Sequence, residues 1–176
     1  MKFLVVVSCI SAAVGQITGT EGQPKRPWGL EPQSTIRIDV PADIRRAMSA
    51  ELEYDEGEPI KGVALDLNRD GIIDYLLQSA PSLCGNGGCI YVLCDGSTRR
   101  KIGQFLGSRL NVLAELAHGY PNIATYSHQS AGSAAYTEYT FDGATYVVTA
   151  AHTMEGAAVD RLFETLRRVP IWRPGR

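Results

Sequence analysis

The stretch "GVALDLNRDGIIDYLLQ", residues 62–78, carries an Asp-Gly pair at residues 70–71 between two β-prone segments. Apolar residues alternate with other residues on both sides of the pair: Val63, Leu65 and Leu67 before it, and Ile73, Tyr75 and Leu77 after it. A period of two is typical of a strand with one buried face, and Asp-Gly between such segments is a strong short-range signal for a β-hairpin. The stretch therefore predicts two antiparallel strands joined by an acidic loop.

The same hairpin signal occurs twice more along the chain, at Asp95-Gly96 and at Asp142-Gly143. Further β-prone segments surround these pairs: "TIRIDV", "CIYVL", "KIGQFL", "NVLAEL", "NIATYS", "AYTEYTF" and "ATYVVTA". Short strands joined by tight turns pair antiparallel with their neighbours in the chain. The sequence therefore predicts an α+β fold, mostly an antiparallel β meander of about seven or eight strands.

Two other segments have helical rather than strand periodicity. Around "PADIRRAMSAEL", residues 41–52, Pro41 and the preceding Asp39 are placed to start a helix, and an apolar stripe follows at Ile44, Met48 and Leu52. In "MEGAAVDRLFETLRRV", the apolar residues at helical spacing are Val159, Leu162, Phe163 and Leu166. We therefore expect an N-terminal helix and a C-terminal helix, the latter packed on the sheet.

A faint internal repeat links the two halves of the predicted meander. "GIIDYLLQSA" is similar to "NIATYSHQSA", so that Ile72 aligns with Ile123, and Asp95-Gly96 then aligns with Asp142-Gly143. The similarity favours two repeated β-units, of which the second has lost the acidic loop. Chance accounts for matches this small equally well.

The N-terminal residues predict export from the cytoplasm. "MKFLVVVSCISAAVGQ" has one lysine, a short apolar run and small residues near Gly15, which together indicate a signal peptide over residues 1–15. A lipoprotein signal with Cys9 as the lipidated residue is the alternative. A Gly- and Pro-rich linker over residues 16–33, one α+β domain over 34–170 and a tail over 171–176 complete the predicted organisation. The predicted location is periplasmic or secreted.

Three cysteines follow the predicted signal peptide, all within "CGNGGCIYVLC". Clustered cysteines in an oxidising compartment favour a disulfide, and the flexible "GNGG" spacer suits a small Cys84–Cys89 ring. On an extended strand Cys89 and Cys94 point to opposite faces, which disfavours that pair. Cys94 is then a buried free thiol or an intermolecular partner. A thiolate metal site is the alternative, although its spacing is unusual for zinc.

The loop "DLNRDGIID", residues 66–74, is rich in the hard oxygens that Ca²⁺ prefers. Four side chains and one backbone carbonyl are the candidate ligands: Asp66, Asn68, Asp70, Asp74 and the carbonyl of Ile72. Asp and Asn side chains also hydrogen-bond their own backbone in turns, so a plain hairpin turn is the alternative. If Ca²⁺ binds, we expect weak affinity of about 0.1 to 1 mM, as in extracellular modules.

This loop resembles the calcium loops of FG-GAP (integrin-type) repeats and the first nine positions of an EF-hand loop. The twelfth EF-hand position, a bidentate glutamate, is Leu77 here, and the flanking segments are β-prone. The resemblance therefore implies a strand–loop–strand calcium site. Over about residues 61–148, the chain also resembles a group of small exported proteobacterial proteins, mostly uncharacterised, for which it implies no activity.

Charge and motifs argue against several classes of function. A net charge of −2 and a pI near 5.9 disfavour a general nucleic-acid binder, and no stretch after the predicted signal peptide is apolar enough to span a membrane. The histidines at 118, 128 and 152 lie in different segments and no nucleophile motif accompanies them. A Cys94–His128 dyad is conceivable only if the fold joins them.

A non-enzymatic binding module is therefore the predicted function. "YSHQSAGSAAYTEYTF" interleaves Tyr126, Tyr136 and Tyr139 with small polar residues, a composition that favours interfaces. Cross-strand packing of the same tyrosines is the alternative. The predicted partner is an envelope or extracellular protein or glycan, or a hydrolase that the module inhibits. The alternatives are a structural envelope protein without a specific ligand, or a hydrolase.

Overall fold

The computed structural model describes residues 24–173 of the chain. They form ten strands and two α-helices, with bounds as follows: β1 Trp28–Leu30, β2 Ile36–Arg37, α1 Ala42–Leu52, β3 Lys61–Leu65, β4 Asp74–Gln78, β5 Cys89–Cys94, β6 Lys101–Gly107, β7 Arg109–Ala117, β8 Tyr120–Ser130, β9 Ser133–Phe141, β10 Tyr146–Glu155 and α2 Ala157–Arg167. Short 3₁₀ turns at Pro32–Ser34 and Pro81–Leu83 complete the regular structure.

The strands form two five-stranded sheets in which all named strand pairs are antiparallel. Sheet I has the order β2-β3-β4-β5-β6, and sheet II has the order β1-β7-β8-β9-β10. The predicted mostly antiparallel fold with two helices is confirmed. The predicted count of seven or eight strands is wrong, and two strands precede α1, so the described chain does not begin with a helix.

The main core lies between the two sheets, because alternate side chains of the strands point to opposite faces. Leu76 and Leu93 of sheet I face Leu110 and Ile123 of sheet II in one buried cluster. The neighbouring residues of the same strands, among them Val92, turn to the other face and pack against α1. Sheet I is thus buried on both faces, which explains its nearly continuous apolar strands.

Both helices pack through their predicted stripes. In α1 the buried residues are Ile44, Met48 and Leu52, and the helix ends where Glu53 takes a left-handed conformation with φ of 54°. In α2, Val159 and Leu166 are buried against Tyr126 and Ala134 of sheet II, with Leu162 and Phe163 partly buried beside them. The expected packing of the C-terminal helix on a sheet is confirmed.

The predicted linker and tail are corrected in part. Trp28 and Leu30 are 2% and 0% exposed, and β1 pairs with β7 from within the predicted linker. Ile171, at the start of the predicted tail, bridges to Gly29, and Trp172 packs against the ring of Trp28. The Gly- and Pro-rich composition concealed this strand because its two apolar residues are too few to establish a period. Residues 16–23 lie outside the described residues.

Two successive four-stranded meanders build the two sheets, β3 to β6 in sheet I and β7 to β10 in sheet II. The turn at Asp95-Gly96 follows β5, and the turn at Asp142-Gly143 follows β9, so these two pairs occupy equivalent places. Ile72 and Ile123 do not, because Ile72 lies in an exposed loop and Ile123 in the core. The architecture is compatible with two β-units, and a true duplication stays a prediction.

Within residues 24–173 no helix has the length and apolar character needed to cross a membrane. The predicted signal peptide at residues 1–15, including Cys9, lies outside the described residues.

Candidate functional site

Four hairpin turns meet at one end of the sandwich, which we call the loop end: residues 66–73, 95–100, 118–119 and 142–145. The amide of Gly96 donates a hydrogen bond of 2.9 Å to Oδ1 of Asp74. A Cβ at Gly96 would lie 1.9 Å from the carbonyl oxygen of Ile73, so only glycine allows this approach. The ring of His118 lies 3.6 Å from the position of a Cβ at Gly143. The four turns therefore form one continuous surface.

The acidic loop folds around its own backbone amides. Asp66, which is 6% exposed, accepts hydrogen bonds from the amides of Asp70 at 3.0 Å and Gly71 at 2.9 Å. Asn68 accepts one from the amide of Asp70, and Asp70 accepts one of 2.7 Å from the amide of Ile72. Arg26 donates to the carbonyl of Leu67. These bonds are the local turn chemistry of Asp and Asn side chains.

Asp74 belongs to a buried network rather than to the exposed part of the loop. Its Oδ2 accepts the amide of Leu67 at 2.9 Å, and its Oδ1 lies 3.2 Å from the hydroxyl of Tyr120. The same hydroxyl lies 2.7 Å from Oδ2 of Asp95, whose Oδ1 accepts the amide and hydroxyl of Thr98. Asp74, Tyr120 and Asp95 are 1%, 4% and 8% exposed. This triad ties three of the four turns together.

The two carboxyl groups of the triad are shifted in opposite directions. Burial raises the pKa of Asp74 to about 6, against the hydrogen bonds from Gly96 and Leu67. Burial alone would raise the pKa of Asp95 as well, but hydrogen bonds from Ser97, Thr98 and Tyr120 outweigh it and lower that pKa to about 2. Burial also raises the pKa of Tyr120, reinforced by both carboxylates. At neutral pH the network therefore holds two carboxylates and a neutral phenol.

The side chains of the predicted calcium ligands take part in hydrogen bonds within the protein. Among residues 24–173, no group of three or more acidic, histidine or cysteine side chains is arranged to hold a metal ion. Asp74 is turned toward Leu67, Gly96 and Tyr120. Each carboxylate oxygen that accepts one hydrogen bond keeps a further lone pair. Calcium binding by residues 66–74 stays a prediction.

A shallow cleft of about 360 Å³ opens at the loop end. It lies between the turn after β5 and the turn after β9, and its lining residues are Asp95, Thr98, Arg100, Lys101, Ile102, Phe141, Gly143 and Ala144. Arg100 is exposed, whereas Lys101 is paired with Glu51. Asp95 lines this cleft and also belongs to the triad, so hydrogen bonds of the triad brace one wall of the cleft. Polar side chains on a braced support suit the recognition of a partner.

The three tyrosines predicted to bind a partner do not share one exposed face. Tyr126 is 2% exposed and packs edge-on against Phe163 of α2. Tyr139 packs against Phe105 in the main core. Tyr136 is half-buried, lies directly opposite Tyr126 on the neighbouring strand, and donates to Glu138. Tyr126 is removed from solvent by its packing on α2.

The cysteines lie away from the loop end. Cys84 and Cys89 form the predicted disulfide, with a Cα–Cα distance of 4.2 Å. Cys89 faces the core between the sheets, and Cys94 faces α1, as expected for residues five apart on one strand. Cys94 is a free, buried cysteine, and burial raises the pKa of its thiol to about 12. A thiol held neutral in this way is inert and inaccessible to a second chain.

The three histidines occupy separate places in the fold. His118 lies in the turn before β8, His128 stacks on Tyr126, and His152 lies opposite Tyr136 on β10. Cys94 is buried beside α1 on sheet I and His128 is exposed on sheet II, so the conceivable dyad is not formed. The disulfide indicates an oxidising compartment.

Sequence reasoning missed Tyr120 and Asp95 as members of the site. Asp95 was interpreted only as a turn residue, and the tyrosine in "HGYPN" carried no motif. The available signal was weak: Asp95 lies in a hairpin turn, Tyr120 directly follows another, and the turns of an antiparallel sandwich can meet at one end.

Compared with known proteins, the chain matches no family model, no curated protein and no solved structure. The similarity of residues 66–74 to calcium loops therefore remains a resemblance of nine positions.

Proposed function

We propose that this protein is a non-enzymatic binding module of the periplasm or the extracellular space, which presents its loop end to a partner. The observation that carries the proposal is the Asp74–Tyr120–Asp95 triad. It fixes three turns from beneath and leaves charged side chains of those turns exposed above it. The partner we propose is an envelope protein or glycan, or a hydrolase that the module inhibits.

The exposed groups of the loop end have both signs of charge. Arg69, Asp70, Arg100, His118 and Asp142 are exposed there. Mixed charges on rigid turns favour a specific polar partner, because charge complementarity then fixes its orientation. Turns held by a scaffold also lose little conformational entropy on binding.

A pull-down from envelope extract with two charge-reversal variants tests this proposal. Arg100→Glu alters the cleft, and Arg161→Glu makes the same change on the exposed surface of α2. We expect the wild-type protein and Arg161→Glu to retain the same partner, and Arg100→Glu to bind it about tenfold less, a loss of about 1.4 kcal/mol. Equal retention by all three proteins, or retention of nothing, contradicts the proposal.

We also propose that residues 66–74 bind Ca²⁺ weakly and thereby stabilise the loop end. Support comes from the oxygen-rich sequence and from the position of the loop, which exposes Asp70 and leaves Asn68 partly exposed. Asn68 and Asp70 would have to turn toward one point, with Asp66 and the carbonyl of Ile72 completing the set. The calcium titration described in the Discussion tests this part separately from partner binding.

A further inference from the structure

Three of the four outer sheet edges are short or covered. At the β1 edge of sheet II, Gly29 donates to the carbonyl of Pro170 and accepts from the amide of Trp172. At one edge of sheet I, β2 has only two residues. At the other edge of sheet I, carbonyl groups of β6 accept side-chain hydrogen bonds from Thr145 and Ser127. Such devices prevent uncontrolled strand pairing.

The fourth edge, strand β10 of sheet II, has none of this cover. It spans ten residues, Tyr146–Glu155, and pairs with β9 on one side and with no strand of the described chain on the other. Seven of its ten residues are exposed, and Val148 is 57% exposed. The strand contains no lysine, arginine or proline. These are the residues with which edge strands usually resist pairing.

A bulge between Val148 and Ala150 interrupts the register of β10 with β9. The regular part is therefore residues 150–155, which pair one to one with β9 from Glu138 to Ser133. Six residues rise about 20 Å, the usual length of a strand in a sheet. This part is long enough to accept one further strand.

The charge pattern of residues 150–155 suits a second copy of itself. The segment carries one histidine, His152, and one acid, Glu155. Opposite residues of an antiparallel pair lie on the same face of the sheet, so a two-fold axis must pass between two copies of one residue. With that axis at Thr153, each Glu155 faces Ala151 of the other copy. Each His152 faces Met154 of the other copy. Like charges directly opposite would be destabilising, and this arrangement has none.

We propose that two copies of this protein associate through β10, residues 151–155 of each pairing antiparallel to join two copies of sheet II into one ten-stranded sheet. The interface is isologous, since each copy contributes the same segment. The small net charge of −2 opposes the approach of two copies only weakly. The loop end lies on the hairpin turns and stays open in this dimer.

Molar mass by sedimentation equilibrium over a wide concentration range tests the proposal, with a double variant on the edge. Ala151→Lys with Thr153→Lys places two lysines on exposed positions of each paired segment. The matched control, Leu106→Lys with Leu116→Lys, adds the same charge at exposed apolar positions of β6 and β7. We expect the wild type and the control to double in mass with concentration. The edge variant should keep the mass of a monomer at every concentration, and its melting temperature should equal that of the wild type at low concentration, where the wild type is a monomer.

Hydrogen exchange of the wild-type protein is a second measurement, and it does not depend on whether any variant folds. In the wild type, amide exchange within residues 151–155 should slow as protein concentration rises. A wild type that stays monomeric, a dimer that survives the edge lysines, or equal loss in both double variants overturns the proposal. An amide exchange rate in β10 that does not change with protein concentration also overturns the proposal.

Discussion

Tyr120 carries one hydroxyl group, and two carboxylates, Asp74 and Asp95, lie within hydrogen-bonding distance of it. Removing the hydroxyl in Tyr120→Phe leaves both buried carboxylates short of a donor. Loss of a hydrogen bond to a buried charged group costs about 1.5 to 3 kcal/mol. We therefore expect the free energy of unfolding at pH 7, measured in urea, to fall by that amount.

Tyr91→Phe is the matched control for this substitution. The hydroxyl of Tyr91 is buried in the main core, and no group of the described chain hydrogen-bonds to it. Replacing an unsatisfied buried hydroxyl by hydrogen costs nothing in lost bonds. Stability should therefore hold or rise, and equal losses in both variants would contradict a special role for the Tyr120 hydroxyl.

The opposite pKa shifts of Asp74 and Asp95 predict an unusual dependence of stability on pH. Asp74 has a folded pKa of about 6, above the unfolded value near 3.9, so folding favours its protonated form. Its contribution is therefore complete below about pH 4 and declines by about 3 kcal/mol as pH rises to about 6. Asp95, with a pKa of about 2, loses its contribution only as pH falls from about 4 toward 2. The triad should favour folding most near pH 4.

Melting curves between pH 3 and 7 in the presence of a chelator measure this effect, with Asp74→Asn as the comparison. The amide does not titrate, so the variant should lose the decline between about pH 4 and 6, whatever its overall stability. Parallel curves for the wild type and Asp74→Asn would show that Asp74 does not titrate in this range.

Asp70 distinguishes a calcium loop from a plain turn. Its carboxylate accepts the amide of Ile72, and an asparagine at this position keeps that bond but lowers the charge. If the loop binds Ca²⁺, a tenfold excess over Kd should stabilise the wild type by about 1.4 kcal/mol, which is about 4 °C in Tm. Asp70→Asn should lose most of that shift. If the loop is a plain turn, calcium should not shift the Tm of either protein.

At the scale of elements, α2 is fixed to sheet II by one buried arginine. Nη2 of Arg109 donates to the carbonyls of Leu166 at 2.6 Å and Val169 at 2.7 Å, at the C-terminal end of α2. Its Nη1 forms an ion pair with Glu31 at 3.2 Å. A positive charge is favourable at the negative end of the helix dipole. Arg109 therefore caps α2 and joins it to the segment after β1.

Arg109→Met should remove that cap, leave the carbonyls of Leu166 and Val169 without their Arg109 donor, and break the ion pair with Glu31. We expect a loss of about 3 kcal/mol in the free energy of unfolding, and faster proteolysis within α2. Arg161→Met on the exposed surface of the same helix should change stability by less than about 0.5 kcal/mol. Similar losses in both variants would indicate an effect of helix charge rather than of the cap.

Elements with a strong local signal could be predicted from the sequence, and those fixed by tertiary contacts could not. Helix α1 was predicted because Ile44, Met48 and Leu52 follow one stripe. The hairpins at Asp-Gly pairs were predicted because their turn conformation is local. Strand β1 was missed because its pairing with β7 depends on residues far along the chain.

The same distinction applies to the candidate site. The acidic loop is contiguous in the sequence, and its turn chemistry was anticipated at Asp66 and Asp70. The triad brings together Asp74, Asp95 and Tyr120 from three hairpins. The spacing of these residues in the sequence does not predict their contact, because the contact depends on the packing of sheet I on sheet II.

At the scale of the whole molecule, the two ends of the described chain close one edge of the fold together. Trp28 lies in β1, and Trp172 packs on it with ring centroids 5.5 Å apart. Backbone hydrogen bonds join Gly29 to Pro170 and Trp172. The domain boundary that composition suggested at residue 34 therefore cuts through the core, and the domain includes residues 28–172.

Two shortened chains test this boundary, one starting at Pro24 and one at Ser34. The second lacks Trp28 and Leu30, each of which is almost fully buried. Full burial of such a side chain contributes about 1.5 to 3 kcal/mol, so the loss should exceed about 3 kcal/mol. It also leaves Trp172 without its ring partner and β7 with an open edge. In urea the chain from Ser34 should unfold at much lower concentration, and its tryptophan fluorescence should shift to the red. Coincident curves for the two chains would mean that β1 packs on the domain without stabilising it.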